Sequence, residues 1–78
     1  MDWQTIDDKL VKEYEFADFT EAVRFINKVA AIADGLDHHP EIWNSYTRVK
    51  LTLSTHDQGD IATDQDYALA EAIDAIKL

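Results

Sequence analysis

Asp18-Phe19-Thr20-Glu21-Ala22-Val23-Arg24-Phe25-Ile26-Asn27-Lys28-Val29-Ala30-Ala31-Ile32-Ala33-Asp34-Gly35 is the stretch that decides the fold. Phe19, Ala22, Val23, Ile26, Val29, Ala30 and Ala33 recur at intervals of three and four, the apolar stripe of an amphipathic helix. Asp18 followed by Glu21 has the spacing of a capping box, in which the Asp oxygen accepts from an otherwise unpaired N–H of the first turn. Gly35 is placed to end the helix as a left-handed residue. A helix with a single apolar stripe needs an apolar layer beneath it, and both flanks change to a period of two.

On the N-terminal side, Trp3 to Ile6 reads as a short strand and Asp7-Asp8 as a turn. Lys9 to Phe16 then alternates, with Leu10, Tyr14 and Phe16 on one face and Val11, Glu13 and Glu15 on the other, so the segment forms a hairpin. On the C-terminal side, Glu41 to Tyr46 is a short apolar-aromatic strand. Val49, Leu51 and Leu53 then alternate with Arg48, Lys50, Thr52 and Ser54 in a clean amphipathic strand. Gln58-Gly59-Asp60 marks a loop. Thr63 with Asp66 repeats the capping-box spacing, and Leu69, Ala72, Ile73 and Ile76 form the face of a last helix. The order β-β-α-β-β-α gives an α+β fold in two layers: a four-stranded antiparallel sheet with two helices packed on one face.

The chain of 78 residues forms a single domain, residues 1–78, and a small one. At this size only about 60% of the unfolded surface is buried, so stability benefits from disulfides, a metal or oligomerisation. Without cysteine, disulfides and thiolate metal sites are both excluded. Sixteen acidic residues against seven basic ones give a net charge of -9. A field of that sign repels phosphate backbones and anionic lipid, which argues against direct nucleic-acid or membrane-surface binding and aids solubility. No apolar run reaches the length of a membrane span, and Met-Asp-Trp-Gln-Thr lacks the basic start and apolar stretch of a signal peptide; a cytoplasmic location is expected.

In a chain this short the three histidines are the main candidates for chemistry. His38 and His39 follow the helix exit and precede Pro40, which fixes its own φ and biases His39 towards extended geometry. If the alternating strand continues, His56 at its end falls in phase with Lys50, Thr52 and Ser54, away from Val49 and Leu51. Ordinary polar loop residues would satisfy the same spacing. Three His with Asp34, Asp37 or Asp57 contain the donors for a zinc site, but adjacent histidines on extended chain point to opposite sides, and no pair has the i, i+4 helical spacing. Asp66 stands at the third helical position, where a carboxylate supports the helix start without any further role. Trp43 and Tyr46 offer π-faces to a flat heterocycle, although aromatics on short strands belong more often to a core.

The run Asp34-Gly-Leu-Asp-His-His-Pro40, then Tyr46, then His56, then an acidic residue opening the last helix (Asp66 or Asp64), resembles the signature of the pterin-4a-carbinolamine dehydratases. Trp3, Phe16-Ala-Asp-Phe19, Val29-Ala, Glu41-Ile-Trp-Asn44 and Val49-Lys-Leu-Thr-Leu-Ser-Thr-His56 are similar to corresponding stretches of that family, so the resemblance covers nearly the whole chain. Family members usually carry a further helix before the first strand, and the loop after His56 is one residue longer here than in the animal enzymes.

The resemblance implies a hydro-lyase that dehydrates 4a-hydroxytetrahydropterin to quinonoid dihydropterin in tetrahydrobiopterin recycling. No redox change occurs, so it implies no cofactor and no metal. It assigns His38 and His56 as the acid/base pair, His39 as a pterin-positioning group, and Asp34 and Asp66 as carboxylates tuning histidines, Asp66 for His56. Pro40 and Thr55-His56-Asp57-Gln58 would line the substrate pocket beside His38 and His39. The implied partners are the pterin substrate and further copies of the chain, as a homodimer or homotetramer. Some relatives also serve as transcription cofactors, and divergent ones without activity as assembly chaperones, which leaves a non-enzymatic interaction module as the alternative. The divergent forms tend to lose the histidines, and all three are present here.

Overall fold

The computed structural model describes residues 2–78. The elements are β1 (Gln4–Ile6), β2 (Lys9–Glu15), α1 (Phe19–Leu36), β3 (Glu41–Ser45), β4 (Arg48–Leu53) and α2 (Asp64–Asp74), with a short 3-10 turn at His56–Gln58. The strands form one antiparallel sheet in the order β1-β2-β4-β3. This is the expected α+β architecture.

The register follows from the alternation. Leu10 faces Leu53, Lys12 faces Leu51 and Tyr14 faces Val49 across β2 and β4. Those rows share one side of the sheet, since side chains alternate along a strand. There, Leu10, Val49, Leu51 and Leu53 join Ala22, Phe25, Val29 and Ala33 of α1 and Leu69, Ala70 and Ile73 of α2 in one buried cluster. Both helices therefore cover the same face, and the Val11, Glu13 and Lys50 side is left open.

Local chemistry sets the turns. Asp7 and Asp8 both have positive φ, 51° and 65°, as a two-residue hairpin twisted to match its strands requires; Asp tolerates that region better than most residues. β3 ends at Ser45 rather than Tyr46, because Tyr46 turns left-handed at φ 54°. The Asn44 amide steadies that turn by donating to the carbonyls of Tyr46 and Arg48. Trp3 lies just before β1 and packs on the core, with its indole N–H donating to Asp74 at 3.0 Å.

Helix α1 differs from expectation in two respects. Its buried positions are Ala22, Phe25, Val29 and Ala33, whereas Phe19 and Ala30 face solvent and Ile26 is only partly buried. Phe25 takes the central place because its ring meets Tyr14 at 4.5 Å and Phe16 at 5.0 Å between centroids, an aromatic cluster that seats β2 on α1. The second correction is at the C-terminus. Gly35 is helical, and the left-handed residue is Asp37, at φ 50°. The Asp37 N–H donates to Asp34 O at 3.2 Å and the His38 N–H to Ala33 O at 3.1 Å, a Schellman closure that uses Asp where glycine is commoner.

At the other end Asp18 caps as expected, its carboxylate accepting from the Glu21 N–H at 2.8 Å. Replacing Asp18 by Ala should cost about 1 kcal/mol, read as a lower urea midpoint at unchanged m-value. A larger loss would mean that Asp18 supports more than the first turn.

Candidate active site

The Schellman turn determines where the histidines go. With its backbone N–H bonded into α1, His38 leaves the helix in a fixed direction. Its Nε2 lies 2.6 Å from Asp66 Oδ1 on α2, with the His38 side chain 13% exposed and that of Asp66 fully buried. His39, next along the chain, is exposed, and its Nε2 lies 2.9 Å from Asp34 Oδ1 in the last turns of α1. Each of the adjacent histidines thus has a separate carboxylate partner. Pro40 follows as the half-buried lead into β3.

Asp66 joins three parts of the chain. Its Oδ2 accepts from the Thr55 hydroxyl at 2.8 Å and from the Thr63 N–H at 2.9 Å, while Oδ1 meets His38. The carboxylate that supports the start of α2 is therefore also the partner of a histidine. Asp64, at the first helical position, is exposed and on the surface. An ionised carboxylate only accepts hydrogen bonds, so the contact with Oδ1 calls for the proton on His38 Nε2 and leaves Nδ1 as the second ring nitrogen.

His56 lies elsewhere than a simple extension of β4 would suggest. The strand ends at Leu53, and Thr55 pairs in an isolated bridge with Ile61. Burial still alternates as far as Thr55, which faces the core side, so His56 projects away from the core. Its side chain is 91% exposed, and Nδ1 lies 2.8 Å from Asp60 Oδ1. The carboxylate partner of His56 is Asp60, then, and that of His38 is Asp66. Asp57 and Gln58 continue the 3-10 turn and are exposed. Two further residues join the site that the sequence marks only as a loop residue and a helix cap: Asp60, four residues after a histidine, and Thr63, whose hydroxyl lies 2.6 Å from that of Thr55.

The hydrogen bond to Asp60, then the charge of Asp60, push the His56 pKa above its usual 6.5, against a smaller opposing effect of desolvation and with the smallest contribution from the charge of Asp57. A raised value means that the pairing is fully present below the ordinary pKa and is lost as pH rises through the shifted one. An NMR titration of the His56 ring should therefore give a midpoint above 6.5, and Asp60→Asn should move it down. A midpoint insensitive to Asp60→Asn would show that the pair does not form in solution.

Acid/base chemistry is what these groups can do: three imidazole–carboxylate couples, two with their histidines between α1 and β3 and the third between β4 and α2. Among the described residues, no three His, Asp or Glu side chains stand close enough together to hold a metal ion. A broad concavity of about 600 Å³ lies on the open face of the sheet near Gln4, Lys9 and Lys50, and no histidine lines it.

The model of the family described as pterin 4 alpha carbinolamine dehydratase matches residues 1–76. A Prochlorococcus marinus protein named "Putative pterin-4-alpha-carbinolamine dehydratase" is 52% identical over 75 residues, covering 96% of this chain and 77% of its own. A Metallosphaera sedula protein of the same name is 45% identical with the same coverage. Among solved structures, a transcriptional coactivator/pterin dehydratase from Brucella melitensis superposes with a TM-score of 0.86 at 37% identity, covering 94% of this chain and 79% of that one. A pterin dehydratase-like protein identified as a RuBisCO assembly factor in the alpha-carboxysome superposes at 0.74 with 26% identity, over 94% and 83%. On the fold, the extent of the match and the identity to these relatives, the chain belongs to the pterin 4 alpha carbinolamine dehydratase family.

Proposed function

We propose that this protein dehydrates 4a-hydroxytetrahydropterin to quinonoid dihydropterin, as a hydro-lyase in tetrahydrobiopterin recycling. The reaction removes the C4a hydroxyl as water once an acid protonates it, while a base takes a proton from a ring nitrogen. Imidazole performs either role near neutral pH. The observation that carries the reading is the His38–Asp66 bond: a largely buried imidazole held at 2.6 Å by a fully buried carboxylate. Groups that act in proton transfer need this kind of fixed orientation.

In this scheme His38 works through Nδ1, the nitrogen not engaged by Asp66. His56, kept protonated to higher pH by Asp60, is the complementary donor. It follows directly on Thr55, which shares Asp66 with His38. His39, steadied by Asp34, positions the pterin, and Pro40, Thr55, Asp57 and Gln58 border the substrate. The chemistry draws on no cofactor. Turnover of 4a-hydroxytetrahydropterin measured beside His56→Ala tests the division of labour: a loss at and below neutral pH, with the alkaline fall of the wild-type profile abolished, supports His56 as the acid, and an unchanged profile removes it from the mechanism.

The same reading makes the protein a cytoplasmic homo-oligomer, dimer or tetramer. β3 is a sheet edge exposed at every position, including Ile42 and Trp43, and among the described residues no helix is long and apolar enough to cross a membrane. A second function, as an interaction or assembly module, is favoured by one observation: among the structural relatives are proteins called a transcriptional coactivator and a RuBisCO assembly factor. A folded protein that does not accelerate the dehydration would favour that reading.

A further inference from the structure

Thr55 sits where three elements meet, and its hydrogen bonds are directional. It is 6% exposed, one of two buried polar side chains among the described residues; the other is Asp66. A hydroxyl has one proton to give. The Thr55 proton goes to Asp66 Oδ2, because a carboxylate can only accept. In the 2.6 Å contact between the two hydroxyls Thr55 must then be the acceptor and Thr63 the donor. The order of donation is Thr63 hydroxyl to Thr55 hydroxyl to Asp66 Oδ2, with the Thr63 N–H as a second donor to the same oxygen. Oδ2 is thereby occupied, and Oδ1 is left to His38.

The backbone of Thr55 acts on the other histidine. Its N–H donates to Ile61 O at 2.8 Å, and its carbonyl accepts from the N–H groups of Gln58 and Asp60, both at 3.1 Å. Those bonds close the loop that carries His56 and its partner Asp60. One residue therefore fixes the rotamer of the His38 carboxylate through its side chain and the base of the His56 loop through its main chain.

We propose that Thr55 is a positioning residue for acid/base catalysis: its hydroxyl orients Asp66 so that His38 is held as the Nε2–H tautomer with Nδ1 as the working nitrogen. The inference rests on the dehydratase reading for its kinetic consequence, but not for its structural one. Removing the hydroxyl leaves Oδ2 with the Thr63 N–H as its donor, widens the rotation open to the carboxylate, and so loosens the constraint on the His38 tautomer.

The test uses Thr55→Val, which keeps the shape and removes the hydroxyl, with Thr55→Ser as the conservative rescue and Thr55→Ala in reserve if Val does not fold. Long-range ¹H–¹⁵N NMR on the imidazoles should show His38 as the Nε2–H tautomer in the wild type and Thr55→Ser, and a mixture in Thr55→Val. Dehydratase kcat should fall about tenfold in Thr55→Val with KM little changed, and return to within about twofold in Thr55→Ser, the scale of one charge-assisted hydrogen bond. A folded Thr55→Val or Thr55→Ala protein with the wild-type His38 tautomer would overturn the proposal. If the wild type shows the predicted tautomer, its loss in Thr55→Val and no dehydration at all, the positioning role stands and the dehydratase reading fails.

Discussion

His38→Ala should reduce turnover of 4a-hydroxytetrahydropterin by about 10²- to 10⁴-fold, the usual worth of a general acid or base. The expectation comes from the position of His38 and not merely from its being a histidine. It is the only one of the three whose partner is fully buried, and its own side chain is 13% exposed against 58% for His39 and 91% for His56. An imidazole held this way has little freedom to lose on reaching the transition state. The fold should survive the change, because Asp66 keeps the donors to its other oxygen from Thr55 and Thr63. A stability loss of about 1 kcal/mol is expected for the missing hydrogen bond. His39→Ala should cost distinctly less turnover, mainly through KM, as suits an exposed positioning group. Equal kcat losses for the two variants would mean that the turn acts as a unit and that His38 has no separate role.

Asp66→Ala should be the most destabilising of the polar substitutions, by about 3 kcal/mol. The carboxylate accepts from the Thr55 hydroxyl and the Thr63 N–H and meets His38, so its removal leaves buried or half-buried donors without partners and cuts the contact between the α1 exit, the end of β4 and the start of α2. In a domain of this size a loss of that order lowers Tm by roughly 15 °C. Asp64→Ala is the control: Asp64 is exposed at the first helical position, and its loss should stay within about 0.5 kcal/mol. Thermal melts of the two variants decide whether the site carboxylate is Asp66, and comparable losses would contradict the role given to it here.

The sheet was readable because its signals are local. Val49, Leu51 and Leu53 are all buried and on one face, as their alternation requires, and the Asp-Asp turn stands where the hairpin needed one. Helix α1 was readable as a helix, but its facing was not. Phe25 and Ile26 are neighbours that a stripe of period three and four admits equally, and the choice between them depends on Tyr14 and Phe16, distant in sequence. The left-handed closure falls two residues beyond Gly35 for a related reason. Glycine is the usual left-handed residue, yet Gly35 lies too early to close the turn that aims His38, and Asp37 accepts the strain.

The site divides along the same line. The residue types and the His-His-Pro turn were visible in the sequence, and so was the capping position of Asp66. The pairing of histidines with carboxylates was not. The resemblance pairs Asp66 with His56, but the 3-10 turn after Thr55 carries His56 to the surface beside Asp60, while the Schellman closure delivers His38 to Asp66. Both outcomes depend on how a chain leaves a regular element, and periodicity carries no information about that.

The central claim is that the His38–Asp66 couple serves dehydration of a pterin carbinolamine. The measurement that bears on it most directly is the stopped-flow rate of 4a-hydroxytetrahydropterin dehydration at neutral pH, with wild-type protein, with His38→Ala and with buffer alone. A wild-type rate far above buffer that falls by at least about 10²-fold in folded His38→Ala is the predicted result. A folded wild-type protein that leaves the buffer rate unchanged, or a His38→Ala variant as fast as wild type, would contradict it.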